Sequence, residues 1–168
     1  MNENDRTYLG KTIPGYLYGI QLSLEWKGMD FLIFMQGVGD VQKFNLGRLW
    51  LENTATRGNN MLTTVLDSWT PDNPNASMPR AVVNDPSGNT RPSSRFVESA
   101  AYLRLASLQL GYVIPARCYA FARPYIQYIR MYGAVNNALT FTAWSGLDPE
   151  NDFSPPPRIL SVGLQARF

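Results

Sequence analysis

Strict alternation of apolar and polar side chains is the feature that most restricts what this chain can fold into. The last residues read RILSVGLQARF, and from Leu160 every second side chain is apolar while those between are small or polar. Because successive side chains of a strand point to opposite faces, this stretch predicts a strand with one apolar face. Such a face can meet the core of a soluble β domain or the lipid around a transmembrane barrel. The apolar positions are Leu160, Val162, Leu164, Ala166 and Phe168.

A second alternating stretch, GYLYGIQLSLEWK, favours the membrane. Its even positions are aromatic at both ends and aliphatic between them, at Ile20, Leu22 and Leu24. Lipid-facing strands have this layout, with aromatic girdles at the two interfaces and an aliphatic band between. About ten residues suffice for a tilted strand to cross a bilayer. We assign the aromatic girdle to Tyr16, Tyr18 and Trp26, together with Tyr112 of a later strand.

The pattern predicts an all-β fold in which five strands form one antiparallel meander. Gly28 in KGMD is suited to a tight turn between the first two strands, and the side chains from Met29 to Met35 at odd positions are assigned outward. In the third strand the alternation weakens before Ala106, which we interpret as the strand continuing beyond the bilayer. The predicted strands cover residues 14–27, 29–38, 99–114, 125–140 and 158–168.

Residues 40–97 break the alternation and predict one long loop. Within it, NNMLTTVLDSW has apolar residues at helical spacing, which predicts a short helix capped by Asn59 or Asn60. The helix should end before Pro71. A loop of this length is usually functional or flexible.

Composition excludes several classes of site. The chain has 15 basic and 13 acidic residues, too balanced for a typical nucleic-acid interface. It has no histidine, so catalytic pairs that use histidine and the usual zinc sites are excluded, and its one cysteine, Cys118, cannot form an intrachain disulfide. We predict no enzyme activity, no catalytic or metal site and no cofactor.

Two acidic groups offer alternatives to this view. Asp148, Glu150 and Asp152 in LDPEND could suggest calcium, but they lack the spacing of a twelve-residue calcium loop. Asp67 and Asp72 flank a tryptophan and could pose as a carboxylate pair for glycoside hydrolysis. We interpret the first group as part of a solvated loop, and we expect no catalysis from the second because Asp67 falls in the predicted helix and Asp72 in the loop after it.

The ligand-binding residues are not determined by the sequence. Three loop aromatics, Trp50, Trp69 and Trp144, could stack on a glycan or a peptide ligand. They could equally pack their own loops, and packing is the interpretation that we favour.

The order of several motifs resembles a known family. KGMDFLIFMQG is followed by SWTPDNPNASMPR, YLRLASLQLGYVIP, NNALTFTAWSGLDPE and a terminal strand that ends in phenylalanine. This order is similar to the C-terminal end of the SusC/RagA family of TonB-dependent outer-membrane transporters, and the match covers nearly the whole chain. The segment ARCYAFARPYIQY departs from the family by being longer and more aromatic than its usual periplasmic connector. Matching positions in the long loop are Trp69, Pro71, Asn73, Pro74, Asn75, Ala76, Pro79 and Arg80; in the third strand, Tyr102, Leu103, Arg104, Leu105, Gly111, Tyr112 and Pro115; and toward the last loop, Asn136, Asn137, Leu139, Gly146, Asp148, Pro149 and Glu150.

The resemblance implies a fold and a role. Residues 1–168 would be the C-terminal arc of a plugged barrel of about 22 strands, without the plug and the N-terminal strands, and residues 40–97 would be an extracellular loop. The complete protein would import glycans or peptides across the outer membrane. Its partners would be outer-membrane lipid, the rest of the barrel and its plug, a SusD-like surface lipoprotein, TonB, and the barrel-assembly machinery, which would read the strand that ends at Phe168.

Loop lengths support this placement independently. Short connections at 27–30 and 115–124 alternate with long ones at 40–97 and 141–157, as periplasmic turns alternate with extracellular loops in bacterial barrels. The first residues, MNENDRTYLG, have no features of a signal peptide, so outer-membrane localisation is expected only as part of a longer precursor. The alternative is a soluble β-sandwich module whose exposed aromatics bind a glycan.

Overall fold

A computed structural model describes residues 5–56 and 58–168, which fall into two compact units. The sheet unit comprises Pro14–Asp40, Ala101–Thr142 and Pro156–Phe168, and the loop unit comprises the described parts of Met1–Ile13, Val41–Ala100 and Ala143–Pro155. The strands are β1 (Tyr16–Trp26), β2 (Met29–Gly39), β3 (Gln42–Phe44), β4 (Val97–Ser99), β5 (Tyr102–Val113), β6 (Tyr128–Thr142) and β7 (Ile159–Arg167). The helical segments are α1 (Leu46–Leu51) and three 3₁₀ helices at Thr63–Asp67, Ser94–Phe96 and Ala116–Ala122.

The sheet unit is one antiparallel sheet with the strand order β1-β2-β5-β6-β7. The predicted five-strand meander is therefore confirmed, and the five strands are not divided between two packed sheets as the sandwich alternative requires. The tight turn is also where the sequence predicts it, since Trp26 pairs with Met29 across Lys27 and Gly28. Both turn residues have positive φ, as a two-residue hairpin loop of this kind demands.

Register places the predicted apolar positions on one face. Leu24 pairs with Phe31, Phe31 with Leu110, and from there the row continues through Gly133 to Val162. Side chains directly opposite each other in a sheet share a face, so this row crosses all five strands on one side. We call this side the apolar face. The odd positions of β2 lie on it, as expected.

A β-bulge causes the loss of alternation in β5, and our interpretation of a strand leaving the bilayer is wrong. Phe34 pairs with Ser107 and Met35 with Leu105, so Ala106 is an extra residue in β5. The extra residue reverses the parity, and Leu103 and Leu105 join the apolar face despite their odd numbers. The register between β5 and β6 shifts at the same level.

The helix predicted after Asn59 and Asn60 is wrong in extent. Only Thr63–Asp67 is helical, as a 3₁₀ segment without a side-chain cap. Its continuation is prevented because Ser68 is extended and the N–H of Trp69 donates to the carbonyl of Met78. The short α-helix of the long loop is α1 instead.

The loop unit has a small core of its own. β3 pairs with β4, and the buried side chains include Val41 and Phe96, with Phe96 edge-on to Phe44 at a ring-centroid distance of 5.9 Å. Among residues 5–56 and 58–168, no helix has the length and apolar character needed to span a bilayer.

Candidate functional site

An apolar cleft of about 730 Å³ lies within the loop unit, and we refer to it as the loop cleft. One wall is α1 with the nearby Leu62 and Thr64, and the other is formed by residues 145–147, Asp152 and Phe153. Large apolar side chains project at its margin, with Trp50 66% exposed, Leu147 74% and Phe153 70%. An open cleft with this lining can receive an apolar group of a ligand.

Asn45 fixes the position of α1, which is one wall of the loop cleft. Its side-chain oxygen accepts a hydrogen bond from the N–H of Arg48 at 2.7 Å, which makes it the helix N-cap. Its Nδ2 donates to Ser145 Oγ at 3.0 Å and, more weakly, to Glu98 Oε2 at 3.4 Å. Asn45 is fully buried, so one side chain joins α1, β4 and the segment around Ser145.

Glu98 is the second link between the same elements. It accepts hydrogen bonds from Arg48 Nη1 at 2.9 Å and from the N–H and hydroxyl of Ser145 at 3.0 and 2.9 Å. Burial by itself would raise the pKa of Glu98, but the hydrogen bonds from Ser145, Arg48 and Asn45 outweigh it and hold the pKa below its ordinary value. The carboxylate is therefore ionised at neutral pH and has a structural role.

Glu52 closes the network at the other end of α1. It is buried and accepts from Arg48 Nε at 3.0 Å and from Arg95 Nη2 at 2.8 Å. Two guanidinium groups thus surround a carboxylate that would be costly to bury alone. This network fixes the position of α1, which forms one wall of the loop cleft.

Asp152 joins the two walls directly. One carboxylate oxygen accepts from the N–H of Gly47 at 3.3 Å, and the other accepts from the indole N–H of Trp144 at 3.0 Å. A Cβ at Gly146 would collide with both Asp152 and Trp144, so this close approach depends on glycine.

The three candidate tryptophans have different surroundings. Trp50 lines the loop cleft and is exposed, as a stacking residue must be. Trp144 is only 7% exposed and its indole is bonded to Asp152, so it packs its own loop. Trp69 lies outside the cleft lining, next to the 3₁₀ segment.

Sequence reasoning did not identify Leu147, Phe153, Asn45 or Glu98 as site residues. Asn45 had a usable signal, because an asparagine ahead of LGRLW is a favourable N-cap for a helix. Leu147 and Phe153 had none, since only the fold brings residues 145–153 to α1.

Of the two carboxylates considered for glycoside hydrolysis, Asp67 makes hydrogen bonds within its own loop. Asp67 accepts from Ser77 Oγ at 2.6 Å, from the N–H of Ser77 at 2.9 Å and from Asn73 Nδ2 at 3.0 Å. The hydrogen bonds from Ser77, then that from Asn73, lower the pKa of Asp67, which makes it a poor general acid. Among the hydrogen bonds of the described residues, Asp72 takes no part in those that Asp67 makes with Ser77 and Asn73.

The LDPEND carboxylates also have separate structural tasks. Asp148 Oδ1 accepts from the N–H groups of Glu150 and Asn151 at 2.9 and 3.2 Å, while Asp152 binds Trp144 and Gly47 as described. Within the part of the chain that the structure describes, no cluster of histidine, cysteine and carboxylate side chains is arranged to hold a metal ion.

The predicted girdle residues lie on the apolar face in two groups at opposite ends of the sheet. Trp26 pairs with Met29 and Met29 with Tyr112 at one end, while Tyr16 and Tyr18 pair with Gly39 and Gly37 at the other. From Tyr16 to Trp26 the strand rises about 33 Å, or about 25 Å across a bilayer at a tilt of about 40°. All four side chains are exposed, and the same holds for the terminal positions Leu160, Val162, Leu164, Ala166 and Phe168.

The comparisons with known proteins agree with this geometry. No established protein-family profile matches the sequence. Two curated proteins of Formosa agariphila do match. TonB-dependent receptor P26 is 27% identical over 100% of this chain, and TonB-dependent receptor P3 is 30% identical over 89%. The sequence is therefore similar to TonB-dependent receptors over most or all of its length.

Solved structures define the match in three dimensions. The RagAB peptide importer in its open-open state superposes over 94% of this chain with a TM-score of 0.77 and 27% identity. Its closed-closed state superposes over 91% with a TM-score of 0.77 and 26% identity. The resemblance to the SusC/RagA family is therefore confirmed, and the sheet unit is a segment of a barrel. The chain spans 18% and 14% of the lengths of the two curated receptors and 17% of the RagAB chains.

Proposed function

We propose that this chain is part of an outer-membrane, TonB-dependent importer of nutrients. The observation that carries the proposal is the apolar row across all five strands, in a segment that superposes on the RagAB peptide importer over 94% of its length. In this proposal the apolar face meets lipid, the opposite face meets the barrel lumen, and the loop unit lies outside the cell. The remaining strands, the plug, a SusD-like lipoprotein and TonB complete the system.

We further propose that the imported nutrient is a peptide and that the loop cleft contacts its apolar side chains. The cleft supports a peptide over a glycan because its margin is Trp50, Leu147 and Phe153, whereas its polar groups are occupied by internal hydrogen bonds. A glycan site needs free donors and acceptors beside its aromatic platform. The term peptide importer in the related structures is consistent with this choice.

Uptake by cells producing the complete receptor tests the proposal. We expect the receptor in the outer-membrane fraction, uptake of labelled oligopeptides rather than oligosaccharides, and loss of uptake when the TonB system is disabled. Trp50→Ala should lower apparent peptide affinity about tenfold, which corresponds to the roughly 1–2 kcal/mol expected for one exposed aromatic contact.

Tyr8→Ala is the matched control, because Tyr8 is an exposed aromatic of the loop unit outside the cleft lining. It should leave uptake unchanged. Equal effects of the two substitutions would contradict the role of the cleft, and receptor found only in a soluble fraction would contradict the whole proposal.

A further inference from the structure

The end of the sheet that carries the β1–β2 turn has an unusual charge distribution. The turn, the connector between β5 and β6, and the end of β7 meet there, since Val113 N–H donates to Gly28 and Gln127 N–H donates to Arg167. Residues 25–30, 111–131 and 163–168 contain five cationic side chains and two acidic side chains, Glu25 and Asp30. Asp30 is paired with Arg130, and the chain has no acidic residue between Glu98 and Asp148.

The connector presents cations and aromatic rings to solvent together. Tyr119 is buried and its hydroxyl donates to the carbonyl of Gln127 at 3.3 Å, which pins the 3₁₀ segment. Around this anchor, Arg117 and Arg123 are exposed, Phe121 is 89% exposed and Tyr125 is 76% exposed. Among the described residues, neither arginine forms an ion pair. We call Lys27, Arg117, Phe121, Arg123, Tyr125 and Arg167 the basic rim.

Exposed cations beside exposed aromatic rings are suited to binding the headgroups of anionic lipids. Aromatic rings prefer the level of lipid headgroups, and cations beside them attract anionic lipid. Trp26 and Tyr112, the girdle residues at this end, place the rim at an interface, and Lys27 already lies 4.7 Å above the Trp26 ring. A soluble acidic protein would not require Phe121 and Tyr125 to project unpartnered beside a lipid-facing belt.

We propose that the basic rim binds the phosphate headgroups of anionic phospholipids at the leaflet nearest the β1–β2 turn. Arg117 and Arg123 contact the phosphates, and Phe121 and Tyr125 insert among the upper acyl carbons. This inference rests on the proposed membrane placement of the sheet. It is independent of the nutrient and of the loop cleft.

Lipid retention by the complete receptor measures the interaction. The receptor is purified in detergent and incubated with equimolar phosphatidylglycerol and phosphatidylcholine of identical acyl chains, and retained lipids are counted by native mass spectrometry. We expect preference for phosphatidylglycerol to fall about fivefold in Arg117→Gln or Arg123→Gln and about 30-fold in the double variant, because each surface cation contributes about a factor of five. Raising the salt concentration should also weaken the native protein's preference for phosphatidylglycerol, because salt screens exposed charges.

Two controls separate headgroup binding from general charge and from misfolding. The double variant Arg80→Gln with Arg158→Gln removes two exposed arginines outside the rim and should leave the preference intact. Arg117→Lys with Arg123→Lys keeps the charge and should keep most of it. Equal preference in the native protein and the rim glutamine variant, or the same loss in the control, would overturn the inference.

Failure of the transport proposal gives a different result. A receptor that takes up no peptide but retains phosphatidylglycerol through Arg117 and Arg123 contradicts only the nutrient assignment. A receptor with normal uptake and no lipid preference contradicts only the rim.

Discussion

Asp30 and Arg130 form an ion pair although a whole strand separates them. Asp30 is on β2 and Arg130 on β6, and β5 runs between these strands. Arg130 Nε donates to Asp30 Oδ1 at 2.7 Å directly over Gly111 of β5, where a Cβ would collide with both groups. Both side chains lie on the face opposite the apolar row, and Arg130 also donates to Gln165 of β7 at 3.1 Å.

Gly111→Ala should break this bridge. The added methyl group displaces both side chains and leaves a partly buried charge pair apart, at a cost of roughly 1–3 kcal/mol. The temperature at which the complete receptor loses its heat-resistant barrel mobility in gels should fall. Gly133→Ala is the matched control, since its Cβ would meet nothing closer than 4.0 Å and should be tolerated. Equal effects of the two substitutions would show that the Asp30–Arg130 ion pair does not contribute to the stability of the barrel.

The apolar face should reject charge and the opposite face should accept it. Leu22→Arg should destabilise the complete barrel by roughly 2–4 kcal/mol if Leu22 lies near the bilayer midplane. Ser23→Arg, one position along the same strand, should cost little because Ser23 is exposed on the other face. Unfolding by denaturant in lipid vesicles measures both values, and similar costs would contradict the assignment of lipid and lumen.

Loop-unit stability should depend on pH through Glu98. Its pKa is lower in the folded protein than in the unfolded chain, so its contribution is fully present above the ordinary glutamate pKa and is lost as pH falls through the folded pKa. The protection of the Arg48 and Ser145 amides against hydrogen exchange, taken relative to the intrinsic rate at each pH, should therefore fall once the pH drops below the ordinary glutamate pKa of about 4.3. Glu98→Gln should flatten this dependence, and an unchanged profile in that variant would assign the effect to another group.

Removing the helix cap should loosen the wall of the loop cleft. Asn45→Ala deletes the cap of α1 and the hydrogen bond to Ser145, and should cost about 1–3 kcal/mol. Asn59→Ala, at an exposed asparagine of the same unit, is the control and should change little. Hydrogen exchange across residues 46–51 reports the difference, and comparable protection in both variants would refute the role of Asn45.

The conformation of the loop that contains WTPDNPNAS should depend on the carboxylate of Asp67 and not on that of Asp72. Asp67→Asn removes the acceptor of Ser77 and weakens three hydrogen bonds, so trypsin should cleave faster after Arg80. Asp72→Asn should leave the rate near that of the native protein, because Asp72 is exposed and outside this network. Equal acceleration in both variants would mean that charge alone governs access to the loop.

The sequence by itself determined the strands, the turn and the apolar face. Alternation is a local property, because the pleat sends neighbouring side chains to opposite sides whatever the rest of the molecule does. Residues 16–26 and 159–167 were therefore predictable to within a few positions. The shared face of Tyr16, Tyr18, Trp26 and Tyr112 followed from the same rule.

Tertiary structure alone decided the contacts that depend on which strands become neighbours. The bulge at Ala106 moves the apolar face of β5 from even-numbered to odd-numbered residues, and the local sequence pattern does not predict this change. Asp30 meets Arg130 only because β5 lies between their strands and has a glycine, Gly111, where the two side chains cross it. Leu147 and Phe153 face α1 only after Asn45, Glu98 and Asp152 have joined segments about 50 to 100 residues apart. Interactions at such separations carry no signature in either segment, since each side chain's partner is set by chain folding rather than by its neighbours in sequence.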